Sequence, residues 1–181
     1  MELEFVKSFA SKAHSGQLRK YTEEPYVNHP IRVSEILLDL YPQATEAMVK
    51  AAILHDVVED TEVLLQEIEN IFGNDVANLV SWVTDISKPE DGNRKQRKHL
   101  DMLHLQDAPH KAQIVKLADI LDNTRDILKF DKKFWRVYIK EKQNEVYCMR
   151  DSVKDTYIWN VTERRLIDLT NELNYKIIIL I

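Results

Sequence analysis

The sequence reads as an all-α, single-domain protein, and three observations lead there. Apolar residues recur at three- and four-residue intervals from near the start of the chain to beyond residue 160, the period of an amphipathic helix. Turn formers and capping residues stand between those stretches, where helices have to stop and restart. At 181 residues, with 44% of them hydrophobic and no Pro/Gly/Ser-rich linker, the chain is long enough for one sizeable core and short for two. One domain spanning 1–181 is therefore the expectation.

Taken in order, Val6, Phe9, Ala10 and Ala13 mark a first helix. Residues 17–28 lack that rhythm and read as a loop or a short hairpin, with Tyr21 and Tyr26 available for stacking on a base or for packing. Ile31, Ile36, Leu37 and Leu40 mark the next helix, and Ala47, Ala51, Leu54 and Val58 a third that is expected to run on through His55 and Asp56. Thr61 precedes an acidic, apolar helix ending near Phe72-Gly73, and Asn74 is expected to cap the one after it, which carries Val76, Leu79, Val80 and Val83. Residues 87–93 combine proline, glycine and turn formers and read as the main loop. Pro109 suits the first turn of a helix carrying Ile114, Leu117, Ala118, Leu121 and Ile127, which puts Asp119 and Asn123 on one side of it. Phe134, Val137, Tyr138, Val146 and Tyr147, then Val161, Leu166, Leu169 and Leu173, continue the rhythm and are expected to complete the core. The β-branched close of the chain, residues 176–181, is expected to form a strand-like tail packed on the body or on a second subunit of a homo-oligomer.

Composition removes several classes of function. A formal charge of −5 argues against broad binding to a nucleic-acid polymer, which needs a basic face. The start of the chain has no basic-then-apolar leader and no segment is apolar long enough to span a bilayer, so a cytoplasmic protein with no membrane partner is expected. The single cysteine, Cys148, excludes an internal disulfide and a thiolate metal site. Three glycines and no Gly-x-x-x-x-Gly-Lys pattern exclude a P-loop. No Ser-His-Asp or Cys-His nucleophile signature is present.

The most informative stretch is Leu54-His55-Asp56-Val57-Val58-Glu59-Asp60-Thr61, which places four metal- and proton-handling side chains in an apolar setting. At helical spacing His55 stacks over Glu59 and Asp56 over Asp60. Two further candidates lie elsewhere: His29 in Tyr26-Val27-Asn28-His29-Pro30 and Asp119 in Lys116-Leu117-Ala118-Asp119. The reading is that His29, His55, Asp56 and Asp119 hold one divalent ion. Two imidazoles and two carboxylates suit manganese or iron, with zinc also open. Burying unpaired acids among Ala51, Ala52, Ile53, Leu54, Val57 and Val58 costs several kcal/mol each, a cost that a cation offsets. Beside such an ion, Glu59 or Asp60 can take a proton from water. Arg19, Lys20 and Lys116 can neutralise phosphate, unless the Arg19-Lys20 pair is simply solvated. The basic run 94–98 is either a solvated helix start or the border of a polyphosphate pocket. His14, ahead of residues 17–20, can shape the pocket; His99, His104 and His110 follow no ligand spacing.

These motifs, in this order, resemble the HD-type metal-dependent phosphohydrolases, and among them the hydrolase domain of RelA/SpoT homologues and the free-standing small alarmone hydrolases. The resemblance runs through residues 13–20, 25–30, 55–61, 72–77, 79–84 and 116–125, within about residues 5–130. It implies an HD-type helical bundle, with His29, His55, Asp56 and Asp119 as ligands of one divalent ion, which the ligand set makes Mn2+ first, and Glu59 and Asp60 as the acids that activate or orient water. It also implies Arg19, Lys20 and Asn123 as contacts to a small phosphorylated nucleotide, and removal of the 3′-pyrophosphate from guanosine tetra- or pentaphosphate. Where the long enzymes carry Asp-Arg-Leu-His-Asn, this chain has Asp119-Ile120-Leu121-Asp122-Asn123, which leaves another nucleotide such as NADPH open as the substrate. A silent domain that binds a nucleotide and signals through a partner would not need the Glu59-Asp60 pair.

Overall fold

A computed structural model describes residues 3–125 and 134–178, with side chains as far as Glu172. Its elements are α1 (Leu3–Ala13), α2 (Asn28–Leu40), α3 (Glu46–Leu54), the single turn α4 (Val57–Asp60), α5 (Leu65–Phe72), α6 (Asn74–Val83), a 3-10 turn (Pro89–Asp91), α7 (Arg94–Asp107), α8 (His110–Asn123), α9 (Trp135–Val153) and α10 (Tyr157–Ile178). Among the described residues there is no β-strand, so the all-α expectation stands. Residues 17–28 make one isolated antiparallel bridge, Leu18 with Pro25, closed by Arg19 N–H to Glu24 O at 2.9 Å and Tyr26 N–H to Gln17 O at 3.0 Å. The anticipated hairpin is reduced to that. None of the described helices is long and apolar enough to cross a membrane.

Helix α3 is the central rod. Thr45 starts it, its hydroxyl accepting from Met48 N–H, and Met48, Val49 and Ala51 to Leu54 are all buried. Apart from the Glu46 and Lys50 ion pair the helix is apolar and is stable only when wrapped, and here α1, α2, α6 and α8 pack around it. Ala51 and Ala52 leave room for their close approach. Helix α2 presents Val33 and Leu37 to α3 and α8, while α8 offers Ile114, Val115, Leu117 and Ala118 to the same core. Each of these larger side chains contributes about 1.5–3 kcal/mol through burial. Helices α9 and α10 pair and close the side formed by α7 and α8.

Five local expectations are corrected. The helix carrying the apolar run stops at Leu54; His55 and Asp56 form a turn before α4, so the four chemical residues do not share one continuous helix. Thr61 closes α4 instead of starting α5, its hydroxyl donating to Val57 O at 2.6 Å and accepting from Val63 N–H. Asn74 lies inside α6 and makes no cap; Gly73, at φ +91°, turns the chain from α5 into α6. Val137 and Tyr147 point outward, 51% and 74% exposed, because α9 turns Trp135, Ile139, Val146 and Met149 inward. Residues 176–178 continue α10 as helix instead of a strand-like tail, since helical propagation from α10 outweighs the β-preference of a few branched residues. Residues 179–181, like Ile127, lie outside the described residues.

Candidate active site

The site forms where α3 ends against the facing sides of α2 and α8. His29 sits in the first turn of α2, His55 and Asp56 in the turn after α3, and Asp119 in the middle of α8. One ligand atom each of His29, His55 and Asp119 lies within 4.8 Å of the others. Asp56 joins them, its Oδ1 3.1 Å from His55 Nε2 and its Oδ2 3.5 Å from His29 Nε2. Asp119 Oδ1 is 3.2 Å from His29 Nε2 and 3.6 Å from His55 Nε2. Residues 29, 55, 56 and 119 are thus brought together from three segments.

The hydrogen bonds behind the rings decide what the cluster is for. His55 Nδ1 is 2.9 Å from Ala52 O, a carbonyl that can only accept, so Nδ1 carries the proton. His29 Nδ1 is 2.6 Å from Asp122 Oδ2, a carboxylate already held by the Arg32 guanidinium at 2.8 and 3.1 Å. Both Nε2 lone pairs therefore face the two carboxylates, and His55 Nε2 is sealed from solvent with no hydrogen-bond partner. Lone pairs and carboxylate oxygens so close repel unless a positive charge lies between them. Without a metal, burial opposes a proton on His55, but the charges and hydrogen bonds of Asp56 and Asp119 together outweigh it and hold the imidazole well above its ordinary value. A divalent cation satisfies the same four groups at once, and the donor set fits one.

The acids stand at the mouth of this cluster. Asp85 N–H donates to Glu59 Oε2 at 3.1 Å. Loss of hydration and then the Asp85 charge push Glu59 up to about 7. Asp60 is also raised, by loss of hydration and by the Asp56 charge, and its carbonyl accepts from Gln17 Nε2 at 2.7 Å. Tyr26, expected to stack on a base or to pack, donates its hydroxyl to Asp56 Oδ2 at 2.8 Å and stacks on the buried His14. Burial and the Asp56 charge hold its phenol far above the usual range, so it remains a donor.

Bordered by Tyr26 and Asp122, a cleft of about 460 Å³ opens between residues 18–26, the end of α8 and the start of α9, lined also by Arg19, Lys20, Tyr21, Arg94, Asn123 and Tyr138. Arg19 donates to Asn123 Oδ1 at 2.8 Å, and Asn123 in turn donates to Asp119 Oδ1. Lys20 lies over the Tyr21 ring at 5.0 Å. Lys116, expected at the outer phosphates, is placed differently. Its Nζ is 3.0 Å from Asp119 Oδ2, where burial opposes the charge and Asp119, Asp85 and Glu145 together more than restore it. It holds the second oxygen of that carboxylate. The run 94–98 does border the site, because Arg94, Arg97 and Lys98 share a smaller cavity with Glu59.

Asp122 and Asp85 are two positions in this arrangement that reading the sequence passed over. The signal for Asp122 was present: an imidazole ligand wants a carboxylate behind its other nitrogen, and Asp122 lies one turn beyond Asp119 on the same helix. Asp85 had none, since only the folded loop carries its N–H to Glu59. His104 stacks on Trp82 and His110 lies between Tyr41 and Ser152, both away from the cluster.

Comparison with known proteins agrees with this geometry. The HD domain family matches residues 7–149. The chain is 42% identical over 129 residues to the guanosine-3′,5′-bis(diphosphate) 3′-pyrophosphohydrolase MESH1 of Xenopus tropicalis, covering 71% of this chain and 70% of that one. It is 40% identical over 131 residues to the Homo sapiens protein of the same name, covering 70% of each. A solved structure of a metazoan ortholog of SpoT, described as hydrolysing ppGpp and playing a role in starvation responses, superposes with a TM-score of 0.78 at 31% identity over 93% of both chains. With family motifs from three separate segments meeting at His29, His55, Asp56 and Asp119, the chain belongs to the HD-domain family, beside the MESH1 and SpoT-like hydrolases.

Proposed function

We propose that this protein, working as one domain, removes the 3′-pyrophosphate of guanosine 3′,5′-bis(diphosphate) and of the corresponding pentaphosphate, giving GDP or GTP and pyrophosphate. The observation that carries this reading is the pair of Nε2 lone pairs aimed at two carboxylates, beside two acids of raised pKa and a basic cleft. The activity named for the MESH1 relatives supports the choice of substrate. His29, His55, Asp56 and Asp119 would hold one ion, Mn2+ by the mixed nitrogen and oxygen character of the set. When bound, it would supply Lewis-acid polarisation of a phosphoryl oxygen and a lowered pKa for water.

The chain's own residues supply the rest. Water adds to the phosphorus joined to the 3′ oxygen, the bond between that phosphorus and oxygen breaks, and the 3′ oxygen takes a proton as pyrophosphate leaves. Glu59, poised near neutrality and oriented by Asp85 N–H, takes the proton from water. Asp60, fixed at its carbonyl by Gln17, orients that water. Arg19 forks onto phosphate oxygens, Lys20 adds a point charge, and Asn123 sets the position of Arg19. Lys116 and Tyr26 act on the ligands, one fixing Asp119 and the other Asp56.

The test is product release from a panel of guanosine tetraphosphate, guanosine pentaphosphate, NADPH and a nucleoside 3′-monophosphate. The expected result is pyrophosphate from the first two at a kcat/KM at least tenfold above phosphate release from the others. Preferential phosphate release from NADPH would move the enzyme to that substrate. Binding without turnover of any of the four would make the chain a nucleotide-sensing module.

A further inference from the structure

We propose that Arg97 is the centre of a second anion subsite, which takes the outer phosphate of the leaving pyrophosphate and so selects a 3′-diphosphate over a 3′-monophosphate. This rests on the hydrolase reading above and deepens it.

Arg94, Arg97 and Lys98 lie three and four residues apart and so share one face of α7. With Glu59, Asp85 and Ser87 they enclose a cavity of about 160 Å³. Two of the three cations already have partners. Arg94 forks onto Glu141 at 2.9 and 2.8 Å, and Lys98 pairs with Asp85 and lies 3.4 Å from Asp101. The Arg97 side chain has no hydrogen bond or ion pair among the described residues, and its Nε is closed off from solvent. A charged donor shut away from water without an acceptor is costly, and the residue could relieve that by turning outward from its half-buried place on a surface helix. An acceptor arriving with the substrate removes the cost in place, and the planar guanidinium fork matches phosphate oxygens.

The two acids of this cavity do not bar an anion. Burial opposes the charge on Asp85, but Lys116 and Lys98 outweigh it, so its negative charge is already compensated. Glu59 is there as the proton acceptor and is neutral once it has taken the proton from water. Arg94 lines this cavity and the 460 Å³ cleft as well, so the two meet at its side chain. The larger space holds the nucleoside and the 5′ phosphates. The smaller one, bounded by the acid that takes the proton from the attacking water, is where the phosphate beyond that phosphorus extends.

Steady-state kinetics of the Mn2+-loaded enzyme test this with Arg97→Gln and Arg97→Lys. The paired substrates are guanosine tetraphosphate and guanosine 5′-diphosphate 3′-monophosphate, with added pyrophosphate as product inhibitor. Loss of charge-assisted hydrogen bonds predicts that Arg97→Gln raises KM for the tetraphosphate and weakens pyrophosphate inhibition, each by about 10–100-fold. Kinetics on the 3′-monophosphate stay within about twofold, and Arg97→Lys falls between. Equal losses on both substrates, or unchanged pyrophosphate inhibition, would overturn the subsite while leaving the hydrolase intact. If the wild type released no pyrophosphate at all, the hydrolase reading would fall. Calorimetric titration of pyrophosphate into Mn2+-loaded wild type and Arg97→Gln would still decide the subsite, by tighter binding to the wild type or by equal binding.

Discussion

His29 and His55 each commit one ring nitrogen to a fixed acceptor, and that commitment makes the other nitrogen a ligand. Removing the charge of the acceptor behind His29 should therefore weaken the metal without touching a ligand atom. Asp122→Asn is expected to lower metal affinity or activity by about 10–100-fold, read by competition with a chelating dye. Glu59 carries a different expectation. Glu59→Gln should lower kcat by about 10²–10⁴-fold with little change in KM, and should abolish a limb of the pH profile that rises through about 7 as the acid ionises. The same raised pKa has a consequence for stability. In the metal-free protein the unfolded chain ionises Glu59 near 4.5 and the folded one near 7, so stability present below the first value is lost as pH rises through the second. Glu59→Gln should then raise Tm at pH 8 and leave it unchanged at pH 4; a lower Tm at pH 8 would contradict the assignment.

At the scale of elements, the loop after α6 depends on one buried side chain. Asp101 accepts from Ile86 N–H at 3.1 Å, Ser87 N–H at 2.9 Å and the Ser87 hydroxyl at 3.0 Å, and this loop presents Asp85 N–H to Glu59. Asp101→Ala should cost about 1–3 kcal/mol in denaturant unfolding for the orphaned donors, and kcat should fall with it because Glu59 loses its anchor. Most helices were legible from period and punctuation because their cores follow that period: Val6 with Ala10, Ala51 with Leu54, Ile114 with Leu117. The break at His55 and Asp56 was not legible, since Val57 is as apolar and buried as Leu54 and nothing local marks a stop. The turn is set by tertiary contacts, with Asp56 drawn to Tyr26 and to His29. In the site, the four clustered residues were readable from chemistry and motif order. Lys116 was misplaced because a lysine before a nucleotide cleft and a lysine behind a metal ligand look alike in a one-dimensional reading.

Across the whole molecule, charge is buried in paired form around an otherwise apolar bundle. Lys142 and Glu145 on α9 lie at 2.8–2.9 Å, both 8% exposed, on the side of the core that also carries Lys116. Lys142→Met leaves Glu145 uncompensated and should cost about 3–5 kcal/mol, whereas replacing both by apolar residues should restore much of it. The metal cluster is the second such centre, and it links stability to occupancy: at a thousandfold excess over Kd a bound ion adds about 4 kcal/mol. The most direct measurement is therefore a titration of metal-free protein with Mn2+, following pyrophosphate release from guanosine tetraphosphate and bound metal in the same samples. The geometry predicts release that rises to a plateau at one ion per chain and is absent in Asp119→Ala at any stoichiometric metal level. Pyrophosphate release that persists in full after chelation, or that survives in Asp119→Ala, would contradict it.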